Sequence, residues 1–510
     1  MGGRRPEKVV TVGGSRSAGW VARPRFADTL PPVPNIVHLS GGRRLGRYVT
    51  ALLLLLAVTL AGGLTAREAA GERFADARTA LHRWWIGPPP TATVLTVPAA
   101  ARTDPFRVTA GGVPQPGAAG VVFFSPWNWA FAGGQAVTNT PGAYLKFRFT
   151  GDRLDARFRV DWLRASAYPA SSYPAVSVQI DDEPPRRLQL APDREQLNLL
   201  AGAPPARDPA APRTARLLFA ATHFDRGDRW RTPVAALRLS ELALSARGRI
   251  AAPPVRPHRL LVYADSHGEG VEVLAAGSWS THQDAGLAFP QSLAEAWDAE
   301  VGVVAFGGSG YVTPVAGAEL PAATDTWARC FAEVSRLDRA GRLNPPPDVI
   351  LSALGDNDPD YPSVSRAARG LAGAWRRAAP DAALLFALPP DRGGNGLRER
   401  LLEGLEDVTD PDLWVLDPGR DLLADPALSF GKHLNAAGQR AYADALAAAR
   451  AAVSASAVQS CPRNRPPYVF RIAGPDAPPA DRAAPRGPRG QTFCLARLRT
   501  PAVTFRCEGH

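Results

Sequence analysis

Two patterns of apolar and polar positions divide the chain. Between about residues 100 and 250, apolar side chains recur at every second position. Leu154, Ala156, Phe158, Val160 and Trp162 share one side of a run whose other side is Asp155, Arg157, Arg159 and Asp161. Leu145, Phe147 and Phe149 alternate with Lys146 and Arg148, and Val176, Val178 and Ile180 repeat the pattern. Period-two runs broken by Gly, Pro and Asp turns predict antiparallel sheets with one buried face, hence an all-β sandwich at 100–250. Pro253, Pro254 and Pro257 mark a linker.

From residue 258 the period changes. Continuous apolar runs at 260–264, 301–306, 349–354, 383–388 and 414–416 predict buried strands. Helical stretches lie between them, such as 326–340 and 364–378, and 435–453 closes the series. This alternation predicts an α/β unit over 258–453, a parallel sheet covered on both faces.

The ends follow neither pattern. Residues 1–46 are rich in Gly, Arg and Pro and read as a disordered basic N-terminus. Residues 48–64 are apolar and uncharged, preceded by Arg43, Arg44 and Arg47. That pattern predicts a signal or transmembrane segment at 47–66 with the N-terminus inside, followed by a stalk at 67–99. The protein is then extracytoplasmic, either secreted or anchored to the membrane. Residues 456–510 read as a disordered Pro/Arg-rich tail.

Charge changes the picture only once it is located. The formal net charge is +11. Residues 1–50 hold nine Lys/Arg against two acids, and residues 456–510 hold nine Arg against three, which leaves the segment between them at −2. The basic excess is therefore a topology signal and a solvated tail, and nucleic acid is not an expected partner. The four cysteines, Cys330, Cys461, Cys494 and Cys507, have neither the number of a disulfide scaffold nor a zinc spacing. No metal or organic cofactor is expected.

The candidate chemistry lies at predicted strand ends. Ala264-Asp265-Ser266 ends the first strand of the α/β unit, Gly307-Gly-Ser-Gly310 follows the second, and Gly355-Asp-Asn357-Asp358 the third. Gly431-Lys-His433 opens the last helix. In a parallel sheet these ends converge on one rim. Ser266 can then attack a carbonyl while His433 takes its proton. The Ser266 N–H, the Gly310 N–H and the Asn357 amide would form an oxyanion hole, each such donor contributing about 3 kcal/mol to catalysis. Asp265 and Asp358 are supporting candidates. Asp356-Asn-Asp-Pro-Asp360 lacks the Gly and Glu of a calcium loop, Gly308-Ser-Gly310 fails the G-x-S-x-G spacing, and His267-Gly-Glu269 lacks further metal ligands. Trp127 and Trp129 could line a sugar site or fill the sandwich core.

The order Ala-Asp-Ser266, Gly310, Gly-x-Asn357-Asp and a late His433 resembles the SGNH hydrolase (GDSL esterase/lipase) superfamily. That resemblance implies a three-layer αβα fold, with the four positions as nucleophile, two oxyanion donors and general base. An N-terminal jelly-roll-like sandwich joined by a short linker is similar to the family two carbohydrate esterases. The expected substrate is an acylated carbohydrate or another small ester, with acetyl as the implied acyl group. Lipase, thioesterase or sugar O-acyltransferase activity, or a non-catalytic polysaccharide-binding protein, are the alternatives. Two positions depart from the pattern. Ala264 replaces a Gly, and Phe430 stands where an Asp three residues before the histidine would orient its ring. Asp417 and Asp425 are candidate substitutes.

Overall fold

The computed structural model describes residues 106–454, apart from short breaks, together with strands at Tyr468–Ala473, Phe493–Arg499 and Ala502–Glu508. Segments 1–46, 47–66 and 67–99 lie outside the described residues. Among the described residues no helix is long and apolar enough to cross a membrane.

The α/β unit is built on one eight-stranded sheet. Its order is Ala299–Ala305, His258–Ala264, Val349–Ala353, Ala383–Ala387, Leu413–Asp417, and then the three strands after residue 467. All pairings are parallel except the last, which is antiparallel. Each strand sends alternate side chains to opposite faces. Leu261 and Tyr263 pack on one side with Val364, Leu371 and Trp375 of helix Tyr361–Ala378 and Leu401 of helix Leu397–Leu405. Leu260, Val262 and Ala264 pack on the other with Leu293 of helix Phe289–Ala296 and Tyr442 and Leu446 of helix Ala436–Ser454. Burial on both faces is why these strands read as continuous apolar runs. After His258–Ala264 the chain first pairs on one side and then on the other. This strand end is therefore the switch point, where the crevice of such a sheet opens.

Around the parallel sheet the structure differs from expectation in two places. Residues 326–340 do not form one helix: helix Ala323–Thr326 is followed by a hairpin of Arg329–Phe331 and Val334–Ser335. Buried Arg336 decides this, its guanidinium donating to the carbonyls of Trp127 (3.0 Å), Thr326 (2.8 Å), Trp327 and Arg329. Helical propensity is a weak prior against such a tertiary anchor. Within 456–510, read as disordered, the structure has the three sheet strands. Their short β-branched and aromatic runs, such as Tyr468-Val-Phe, are hidden among Pro and Arg.

Residues 106–251 form two largely antiparallel sheets. One contains Leu154–Phe158 and Leu237–Leu244, the other Tyr144–Phe149, Arg213–Ala221 and Ala175–Ile180. The alternating residues Leu145, Phe147, Phe149, Leu154, Ala156, Phe158, Val176 and Val178 meet in one core. The predicted run 154–162 is cut short, since a helix at Asp161–Ala165 follows the strand.

This two-sheet region covers the free edge of the parallel sheet. Asn128 pairs with Val303 as a strand residue would, its Oδ1 accepting from the Val303 N–H (3.0 Å) and its Nδ2 donating to the Val303 carbonyl (2.5 Å). The Tyr144 hydroxyl bonds Glu300 and accepts from the Val301 N–H. Gly302 lies so close to Pro126 and Trp127 that a Cβ would sit 2.3 Å from the Pro126 carbonyl oxygen. An open edge is thereby paired and capped.

Candidate active site

Ser266 opens a four-residue helix, Ser266–Glu269, directly after the switch-point strand. Asp265 caps it, accepting from the His267 N–H at 3.0 Å. The helix must end at once, and Gly270 ends it with φ +74°, where a Cβ would lie 2.6 Å from the Asp284 carbonyl oxygen. The Ser266 N–H, in the first turn, has no intrahelical acceptor.

His433 reaches this helix from the loop before Ala436–Ser454. Its Nε2 lies 3.0 Å from the Ser266 Oγ, and its Nδ1 lies 3.0 Å from the Glu272 Oε2. With a carboxylate at Nδ1, the tautomer that satisfies both contacts carries its proton on Nδ1 and accepts the Ser266 proton at Nε2. The other Glu272 oxygen accepts from the Gly277 N–H at 3.0 Å. Glu272 sits at φ +59°, a left-handed conformation that costs about 1–3 kcal/mol in a non-glycine residue. The hydrogen bond to His433 holds its carboxyl below the usual glutamate range, against a smaller opposing effect of burial.

Glu272 is the residue that the sequence reading missed. It follows Ser266 by six positions in a segment without periodicity or motif, and only the turn at Gly270 brings it beneath the histidine. Asp417 and Asp425, the substitutes considered, accept instead from the Gly419 and Ala427 N–H groups. Phe430 is exposed, and its N–H donates to the His433 carbonyl.

The remaining candidates are brought to the same rim with different duties. Asn357 Nδ2 donates to the Ser309 carbonyl (3.1 Å) and to Asp265 Oδ2 (3.2 Å). The Gly310 N–H donates to the Thr313 carbonyl at 3.0 Å. Two of the three oxyanion candidates, Asn357 and Gly310, are thus directed at protein acceptors in this structure, and an oxyanion would have to share or displace those bonds. Asp358 is buried behind the loop, accepting from the Tyr311 (2.7 Å), Val312 (2.9 Å) and Thr313 (3.0 Å) N–H groups. Its carboxylate explains Gly310, because a Cβ there would fall 2.3–2.6 Å from it. Burial pushes the Asp265 carboxyl up to about 7, against the pull of the neighbouring His267 ring.

His267, next to the nucleophile candidate, is buried, with its ring 5.5 Å from that of His433 and its Nε2 3.3 Å from Asp356. Trp127 and Trp129 belong to the packing. Trp127 Nε1 donates to the Pro345 carbonyl and Trp129 Nε1 to Ser125 Oγ. Among the described residues no group of three or more His, Cys, Asp or Glu side chains is arranged to hold a metal ion.

No protein-family model matches the chain, and no curated protein matches it by sequence. Solved structures match by shape. A family two carbohydrate esterase from Cellvibrio japonicus superimposes with a TM-score of 0.52 at 17% identity, over 64% of this chain and 93% of that one. A family two carbohydrate esterase from Clostridium thermocellum, solved in complex with cellohexaose, gives 0.51 at 16%, over 64% and 97%. An acetyl xylan esterase from the rumen bacterium Butyrivibrio proteoclasticus gives 0.50 at 14%, over 64% and 94%. At these identities the likeness speaks for the fold. The chain shares the fold of these solved esterases.

Proposed function

We propose that this chain is a serine esterase that removes short acyl groups, acetyl above all, from carbohydrate. The observation that carries the reading is the continuous line Ser266 Oγ–His433 Nε2 and His433 Nδ1–Glu272 Oε2, both contacts at 3.0 Å. A degenerate hydrolase that only binds polysaccharide has no need of such alignment.

In this reading Ser266 attacks the ester carbonyl as its proton passes to His433 Nε2. The Glu272 carboxylate, accepting from Nδ1–H, stabilises the imidazolium that forms. Negative charge on the carbonyl oxygen is met by the Ser266 N–H, with Gly310 and Asn357 turning from their resting acceptors. The imidazolium then protonates the leaving sugar oxygen. Water, deprotonated in turn by His433, releases the acid from the acyl-serine. Substrate class rests on the names of the structural neighbours, since a fold by itself does not choose a substrate. We further assign 100–250 as a jelly-roll-like sandwich domain and 258–453 as the main part of the hydrolase domain, whose sheet the three strands after residue 467 extend. The apolar segment 47–66 is read as the export or anchoring signal.

The test is hydrolysis of an aryl acetate and of acetylated xylo-oligosaccharide by the full chain beside Ser266→Ala. Activity that disappears in the variant is expected. Equal activity in both would place the nucleophile elsewhere, and a folded wild type inactive on acetyl and longer esters would leave the binding protein.

A further inference from the structure

Three residues beyond Ser266, Glu269 closes the same helix and is fully buried. Its Oε2 accepts from the Gly307 N–H at 2.5 Å, so it ties the nucleophile helix to the first residue of the loop that carries Gly310. Its Oε1 is 2.8 Å from Nη1 of Arg229, which is 1% exposed. A carboxylate so deep needs its counter-charge, because half of a buried pair left alone is strongly destabilising.

That counter-charge does not belong to the α/β unit. Arg229 lies between strands Arg213–Ala221 and Leu237–Leu244, one from each sheet of the two-sheet region. It is held there on several sides. Its Nη2 donates to the Asn139 carbonyl (2.9 Å), its own carbonyl accepts from Asn139 Nδ2 (2.6 Å), and its N–H donates to the Ala318 carbonyl (2.9 Å). The guanidinium carbon lies 4.8 Å from the centre of the Phe306 ring, at the foot of the same loop. The strand leading into that loop is the one that Asn128 caps at Val303.

We propose that Arg229 is a positioning residue for the active site: the two-sheet region supplies the buried charge that fixes Glu269, and through it the register between the nucleophile helix and the 307–310 loop. The two-sheet region is then part of the catalytic machinery rather than an appended module. A misplacement of about 1 Å at reacting groups, caused from a distance, is enough to cost about 10²-fold in rate.

The kinetic side of this inference rests on the esterase reading, and a second readout does not. In the full chain, Arg229→Met is expected to lower kcat on an aryl acetate by about 10²-fold with KM within about twofold. It should also speed amide hydrogen exchange at 307–310, measured by mass spectrometry. The double variant Arg229→Met/Glu269→Gln removes both charges but keeps an acceptor for the Gly307 N–H. It should regain at least about tenfold in kcat, the non-additivity of a coupled pair. A folded Arg229→Met with unchanged kcat and unchanged exchange overturns the proposal, leaving Arg229 a mere staple between domains. Where Arg229→Met does not fold, the double variant decides alone: folded and within about tenfold of wild-type kcat it supports the proposal, folded and slower it overturns it. Faster loop exchange in Arg229→Met of a chain that hydrolyses no ester would keep this coupling and reject the esterase.

Discussion

The two loops that meet at the site are unequal. The histidine loop, around Ser429–Asn435, brings His433 and little else, and the position three residues before it holds exposed Phe430. The nucleophile turn, residues 265–277, is dense with duties. It carries the cap Asp265, Ser266, the buried strut Glu269 and the histidine's partner Glu272. The acid that orients the base has no fixed address in the chain. Any carboxylate held at Nδ1 performs the same electrostatic task, and in the proposed mechanism the better-anchored turn provides it through Glu272. The two glutamates differ accordingly. Glu269 is sealed against Arg229 and acts on geometry, whereas part-exposed Glu272 touches the imidazole.

The largest expected effect would break the comparison at its centre. Ser266→Ala and His433→Ala should each lower kcat by about 10⁴-fold or more, and the double variant hardly further, because the pair acts as a unit. The next largest effect falls on Glu272, at the far side of the His433 ring. Glu272→Gln should lower kcat on an aryl acetate by about 10³-fold with little change in KM, since an amide permits the wrong tautomer. Within about threefold of wild-type kcat, it would return the task to the histidine loop.

Asn357→Ala should cost about 10²-fold in kcat if its amide turns to the oxyanion, and a normal kcat would leave that amide as a brace between Ser309 and Asp265. Gly310→Ala should destabilise the chain by about 1–3 kcal/mol in chemical denaturation, because its methyl meets the Asp358 carboxylate. The smallest effect concerns pH. The lowered Glu272 pKa contributes stability that is present above the ordinary value of 4.5 and lost as pH falls below it. The melting temperature of Glu272→Gln should therefore fall short of wild type at neutral pH and converge with it in acid. Asp265, raised from 3.8 to about 7, has the opposite sign. Its contribution is present in acid and is lost as pH rises through about 7, so Asp265→Asn should gain on wild type over that range.

Much of this was legible in the chain. Periods of two, and strand–helix alternation, located the two folding patterns, because each strand's burial is written in its own residues. The five strands from His258–Ala264 to Leu413–Asp417 fall where the apolar runs predict them, and helix Tyr361–Ala378 follows its own apolar stripe. The gathering of Ser266, Gly310, Asn357 and His433 at one rim was legible for the same reason, since each follows a strand end or precedes a helix and such ends converge by topology.

What only tertiary structure decided depends on contacts between residues whose local sequence says nothing about one another. The hairpin at 329–335 forms because Arg336 gathers carbonyls, one of them as distant as Trp127. Glu272 meets His433 across 161 positions, after a left-handed turn that no periodicity encodes. Arg229 finds Glu269 only because the two-sheet region closes over the edge of the parallel sheet. Sequence alone determined most of the elements and the convergence of their ends, both being local or topological. The partners of the buried charges were left to packing, because the energy of a charge depends on what surrounds it in space.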